Sequence, residues 1–151
     1  MIEEFRDVLT ELVRADVQFL VVGAHALSVH GVPRATVDLD IWIRPDPQNA
    51  QRVYAALAAF GAPLEALGIT RSHFQELDVV TQLGLPPLRI DVMTSVSGLT
   101  FEEAWQTRVT GEIEGVRVPI LDRASFIRNK QASGRMKDLA DLELLGADES
   151  P

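Results

Sequence analysis

Between Val37 and Ile41 the chain alternates between aliphatic and acidic at every residue. Val37, Leu39, Ile41 and Ile43 fall on one parity, and Asp38, Asp40 and Trp42 on the other. Successive side chains of a β-strand point to opposite faces, so residues 36–44 are predicted to form a strand with one apolar face and one face bearing two carboxylates. "LRIDVM", residues 88–93, repeats the arrangement, with Leu88, Ile90 and Val92 on one side and Arg89, Asp91 and Met93 on the other. Each strand needs helices to cover its apolar face, and each leaves acids on the opposite face. If the two strands are neighbours, Asp38, Asp40 and Asp91 converge.

The remaining elements fit a layered arrangement. Ile2, Phe5, Val8, Leu9, Leu12 and Val13 recur at helical spacing over 2–15. "VQFLVVG" reads as a short buried strand ending at Gly23. "AHALSVH" follows as a helix after no more than a tight turn, and stops at Gly31. Pro-Asp-Pro opens a helix over 47–60 that Gly61 ends, and residues 62–75 read as a loop with a short helix. "LDVVTQLG" and "LRIDVMTS" form a predicted hairpin around "LPP", and "FEEAWQT" a short helix. "RVTGEIEGVRVPIL" forms a second hairpin turning at Glu114-Gly115. Beyond it, two helices broken at Ser133-Gly134 are expected, the first capped by Asp122. This mixture predicts an α/β or α+β fold built on a small mixed β-sheet flanked by helices, with a helical C-terminal segment.

The 151 residues suit a single domain, 1–151, with no linker or repeat. No apolar run approaches the roughly 20 residues that span a bilayer. The N-terminal "MIEEFRDVL" is acidic and amphipathic, unlike a signal peptide. The expectation is a cytoplasmic protein with no membrane partner. The absence of cysteine removes disulfides, thiolate catalysis and Cys-based zinc sites. A formal charge of −8 argues against broad nucleic-acid binding, which depends on Lys and Arg neutralising phosphates. Against that balance, Arg123, Arg128, Lys130, Arg135 and Lys137 form a local basic segment, which suits either a phosphorylated ligand or a solvated helix face.

Residues i and i+2 of a strand lie roughly 6 to 7 Å apart, and paired catalytic divalent ions sit about 3.5–4 Å apart between carboxylates. Asp38, Asp40 and Asp91 on adjacent strands can therefore hold one or two Mg²⁺ ions, which favour few protein carboxylates plus substrate phosphates. An Asp-x-Asp on an exposed strand face is also common as ordinary solvation, and spacing alone does not separate the two readings.

The surrounding residues add a resemblance. "FLVVGAHALSVHGVPRATVDLDIWI" resembles the nucleotidyltransferase superfamily with the polymerase-β-like fold, whose signature is a strand ending in Gly-Gly or Gly-Ser, a short helix, and an Asp-x-Asp strand. Gly31, Arg34, Thr36, Asp38, Leu39 and Asp40 are most similar to small bacterial members of the AbiEii and lincosamide-resistance types. "PPLRIDVMTSVSGLTFEEAW" looks like their third-carboxylate strand, and "NKQASGRMKDLADLELL" like their C-terminal Lys-x-x-x-x-Arg-x-Lys-Asp segment. The resemblance covers residues 17–145, with the blocks in the expected order. It implies metal-dependent transfer of a nucleoside monophosphate from an NTP, ATP being the expected one, to an acceptor hydroxyl. Asp38, Asp40 and Asp91 would be the catalytic and metal residues, holding Mg²⁺ or Mn²⁺. Gly23, Ala24, Arg34, Thr36, Lys130, Arg135 and Lys137 would bind nucleotide and phosphate, with free N–H groups of the helix after Gly23 helping. Ala24 departs from the family's second glycine or serine and lacks a hydroxyl.

Two functional expectations follow. One is an active nucleotidyltransferase whose acceptor is a small molecule, a tRNA or a protein, either alone or as a homo-oligomer. The other, motivated by Ala24, is a catalytically degenerate protein of the same fold that serves as a toxin–antitoxin component or scaffold. His25 and His30 read as ordinary helix histidines, His73 carries no role, Trp42 packs at a rim or stacks on a base, and Trp105 belongs to the core.

Overall fold

Phe19–Val22, the four residues FLVV, form strand β1, and all four are buried. A strand apolar on both faces belongs at the centre of a sheet, and β1 lies there. On one side it pairs antiparallel with β2 (Leu39–Ile43), with Val22 opposite Asp40 and Phe19 opposite Ile43. On the other side it pairs in parallel with β6 (Val116–Ile120). Beyond β2 lies β4 (Ile90–Met93), parallel to it, and then β3 (Val80–Leu83), antiparallel to β4. β5 (Val109–Ile113) closes the opposite edge against β6, giving a six-stranded mixed sheet ordered β3-β4-β2-β1-β6-β5. The computed structural model describes residues 2–33, 38–85 and 88–146.

The helices are α1 (Glu3–Arg14), α2 (Gly23–Val29), α3 (Pro47–Phe60), α4 (Phe101–Gln106), α5 (Arg123–Ser133) and α6 (Met136–Leu145), with a 3-10 turn at Arg71–Phe74. Phe5, Val8, Leu9 and Leu12 of α1 are buried, as are Ala50, Val53, Ala56 and Leu57 of α3, and the two helices pack together. These side chains join Leu39, Ile41 and Ile43 in one continuous core, so the apolar parity of β2 faces the helices as predicted. The acid-bearing face is divided. At its far end Trp42 is covered edge-on by Phe101 of α4, with ring centroids 5.2 Å apart, and Phe101 in turn stacks on Trp105. The other end, around Asp40, opens to a cleft.

Local signals explain most boundaries. Asp46 accepts the Asn49 N–H at 2.7 Å and Pro47 supplies the fixed φ of a first helical turn, so α3 starts where predicted. Asp122 accepts the Ser125 N–H and caps α5. Thr100 and Glu103 form a reciprocal capping box on α4. Glu114 and Gly115 both adopt positive φ, the geometry of a two-residue hairpin turn between β5 and β6. The loop expected over 62–75 contains the 3-10 turn, capped by Thr70 and His73, so His73 has a local structural role. No described helix is long and apolar enough to cross a membrane.

Asn49 is a buried polar side chain that ties three elements. Its Oδ1 accepts the Gln18 N–H at 2.8 Å, and its Nδ2 donates to the carbonyls of Gln18 and Arg44, each at 3.0 Å. The start of β1 and the end of β2 are thus pinned to the first turn of α3. Truncation would leave buried main-chain groups unpaired, at a cost of about 2 kcal/mol or more. In a thermal melt followed by circular dichroism, Asn49→Ala is expected to unfold ~4–8 °C below wild type.

Candidate functional site

The site begins at the end of β1, where the chain passes from strand to helix without a loop. Val22 ends β1 and Gly23 opens α2 with φ of +68°, a left-handed conformation that an L side chain resists. Space excludes a side chain as well, since a Cβ on Gly23 would sit 2.2 Å from Asp40 Oδ2. The β1–α2 backbone thus lies directly against the Asp40 carboxylate.

On its other flank Asp40 faces Asp91. The two are register partners on the parallel strands β2 and β4, and strand spacing puts such partners roughly 4.8 Å apart with side chains on the same face. Asp38 lies just before β2 on that parity. The carboxylates therefore gather as the alternation predicts. Burial pushes the Asp40 carboxyl up from 3.8 to about 6, helped by the charges of Asp91 and Asp38 and opposed by Lys137 and Lys130.

Arg89, to which no sequence motif assigns a role, joins this group. Its Nε donates to Asp91 Oδ1 at 2.9 Å and its Nη2 to Asp91 Oδ2 at 3.2 Å. The same Nη2 lies 3.0 Å from Asp38 Oδ2. The guanidinium pKa is raised, first by the hydrogen bond to Asp91. Parity offered the signal, because Arg89 lies two residues before Asp91 and so shares its face.

The acids form one wall of a cleft of about 940 Å³. Gly23 and Ala24 border the acids, Ser95, Val96 and Ser97 extend the wall beyond β4, and the α5–α6 corner stands across. That corner carries Lys130, Arg135 and Lys137, so the structure brings all three predicted cations to the cleft. Two of them are engaged. Lys130 Nζ lies 2.9 Å from Asp138 Oδ1 and 3.7 Å from Asp141 Oδ2. Arg135 Nε donates to Asp138 Oδ2 at 2.7 Å, and Ser133 Oγ bonds the same oxygen. Asp138 is fully buried, yet these donors hold its carboxyl well below the usual range. Lys137 is exposed and, among the described residues, makes no ion pair. Arg34 and Thr36 lie outside the described residues.

All-oxygen donors suit Mg²⁺ or Mn²⁺ in kind, and two or three carboxylates leave coordination positions for water and phosphate. Among the described residues no three acidic or histidine side chains stand close enough together to form a ready-made metal cage, and Arg89 holds Asp38 and Asp91 instead. The histidines stand elsewhere in structural roles. His25 meets Phe5 edge-on, and His30 Nε2 lies 2.7 Å from the Leu121 carbonyl.

Among solved structures that match is the crystal structure of a "putative nucleotidyltransferase" from Thermotoga maritima, at a TM-score of 0.62 and 15% identity. The match covers 96% of this chain and 91% of that one. The chain has that protein's fold. No protein-family model and no curated protein matches it. The mixed sheet flanked by helices is thus shared with that structure.

The position of Asp40 generates a pH-dependent prediction. Its folded pKa lies above its unfolded value, so its favourable contribution is present below about pH 4 and lost as pH rises through about 6. In EDTA at pH 7.5, Asp40→Asn is expected to melt ~3–6 °C above wild type. At pH 4.5 the gain should shrink. Equal gains at both pH values would show that burial and the neighbouring charges do not raise this carboxyl.

Proposed function

We propose that the protein is a nucleotidyltransferase that moves a nucleoside monophosphate from an NTP, ATP being the first to test, to an acceptor hydroxyl. The observation that carries this reading is the register pairing of Asp40 with Asp91, flanked by Gly23 and facing a basic corner across one cleft. Asp38, Asp40 and Asp91 would hold Mg²⁺ or Mn²⁺, which when bound neutralises the triphosphate and lowers the barrier to phosphoryl transfer. The acceptor oxygen bonds to the α-phosphorus, pyrophosphate leaves with the electron pair of the broken bond, and the acceptor's proton passes to the carboxylate cluster.

The cleft walls divide the work by charge. Gly23 and Ala24 allow phosphate to approach the backbone beside the acids. Lys137, which makes no ion pair among the described residues, is assigned to the phosphates. Lys130 and Arg135, paired with Asp138 and Asp141, position the α5–α6 corner that presents Lys137. Arg34 and Thr36 are carried as nucleotide-binding residues by the sequence resemblance alone. The AbiEii-like or lincosamide-type subgroup and a cytoplasmic setting belong to the same proposal, as does an acceptor that is a small molecule, a tRNA or a protein.

A second reading has its own support. Arg89 already engages two of the three acids, and Ala24 lacks the hydroxyl of some relatives. These features suit a degenerate member acting as a toxin–antitoxin component or a scaffold, alone or as a homo-oligomer. Calorimetry with Mg·ATP separates the two, since millimolar-or-better binding favours the enzyme and its absence favours the scaffold.

For the enzyme reading, incubation with labelled NTPs and cell extract should label an acceptor. Asp40→Asn and Asp91→Asn should each lower that labelling by roughly 100-fold or more. Lys137→Met should raise the KM for NTP by about tenfold while leaving the melting temperature near wild type. Wild-type labelling by Asp91→Asn would end this assignment.

A further inference from the structure

The Arg89 side chain is not what holds its own strand in the sheet. Its main chain is already secured, because the Leu39 N–H donates to the Arg89 carbonyl at 3.0 Å and extends the β2–β4 ladder. Its side chain, about 29% exposed, turns back over the strand to reach Asp91 with two nitrogens and Asp38 with one of them. The guanidinium therefore lies between two of the carboxylates that the proposed function assigns to a divalent cation, while among the described residues Asp40 makes no ion pair with an arginine.

We propose that Arg89 and a divalent cation are alternative occupants of the space between Asp38 and Asp91, so that Arg89 sets how readily the metal binds. The proposal rests on reading the acid cluster as the metal site. Three facts of geometry carry it. The Arg89 nitrogens engage both oxygens of Asp91 and one of Asp38, the lone pairs a metal would take. Asp91 is about 11% exposed and cannot serve both cations by swinging into solvent. Arg89 is the more exposed partner and has the cleft to turn into, because it lines that cleft itself. A guanidinium is also a fixed fork that matches carboxylate and phosphate alike, so the displaced group would still face a suitable anion in the same cleft.

The test is calorimetric titration of the metal-free protein with Mn²⁺ alone, without nucleotide. Arg89→Met is expected to bind Mn²⁺ roughly tenfold tighter than wild type, because a charge-assisted bidentate contact no longer has to break. Arg89→Lys, which keeps the charge without the fork, should fall between them. Adding Asp91→Asn to Arg89→Met should abolish the gain, which locates the ion at the cluster. In ¹⁵N spectra of wild type, Mg²⁺ should shift the Arg89 Nε–H signal and speed its exchange with solvent, a readout that survives if Arg89→Met fails to fold. Equal or weaker Mn²⁺ binding by folded Arg89→Met would overturn the proposal and leave the metal site standing, as would an Nε–H signal unmoved by a bound ion. If neither wild type nor Arg89→Met bound Mn²⁺, the metal reading would fall and this proposal with it.

Discussion

The parallel pairing of β2 with β4 is the constraint on which the rest of the site depends. One register, Asp40 beside Asp91, brings together residues far apart in sequence and aligns Leu39 with Ile90 and Ile41 with Val92 on the opposite, apolar face. A slip of one residue in either strand would turn that strand's acid into the helix-packed core and expose its aliphatic side chains. Burial of Leu39, Ile41, Ile90 and Val92 therefore fixes the acids' position as a by-product. The core and the site are two faces of one register.

Charge is compartmentalised across the cleft. Among the described residues the sheet side carries three carboxylates against one guanidinium, and burial, with the charges of Asp91 and Asp38 added to it, raises the Asp40 carboxyl. The α5–α6 corner balances differently. Burying Asp138 without partners would cost several kcal/mol, and Lys130, Arg135 and Ser133 all converge on it. That network joins two helices across Gly134 and leaves Lys137 on the exposed side. The corner contributes few free charges, but it holds Lys137 in a defined place.

Much of this architecture was legible in the sequence because the signals were local. Asp46-Pro47 and Gly61 bracket α3, the Glu114-Gly115 turn marks the second hairpin, and alternation about Asp38 and Asp40 assigns their face. Strand order was not legible, because Val21 meets Ile120 and Asp40 meets Asp91 through contacts that no local pattern encodes. The basic segment was legible only as charge. Nothing in its spacing distinguished Lys137 from Lys130, which turns inward because Asp138 and Asp141 lie one helix away. Arg89 showed its parity but not its target, since a lone arginine in a strand usually points to water.

The position of Arg89 also bears on how the chain assembles. Docking β4 beside β2 is a long-range event, of the kind that slows folding because loop closure precedes its reward. Had β4 brought only Asp91, it would approach a strand already carrying Asp38 and Asp40 against mounting repulsion. Because Arg89 travels on the same short segment, the incoming strand is neutral as a unit and arrives with the cation that both Asp38 and Asp91 need. The acid cluster can thus be put together during folding before any ion from solution is required to hold it.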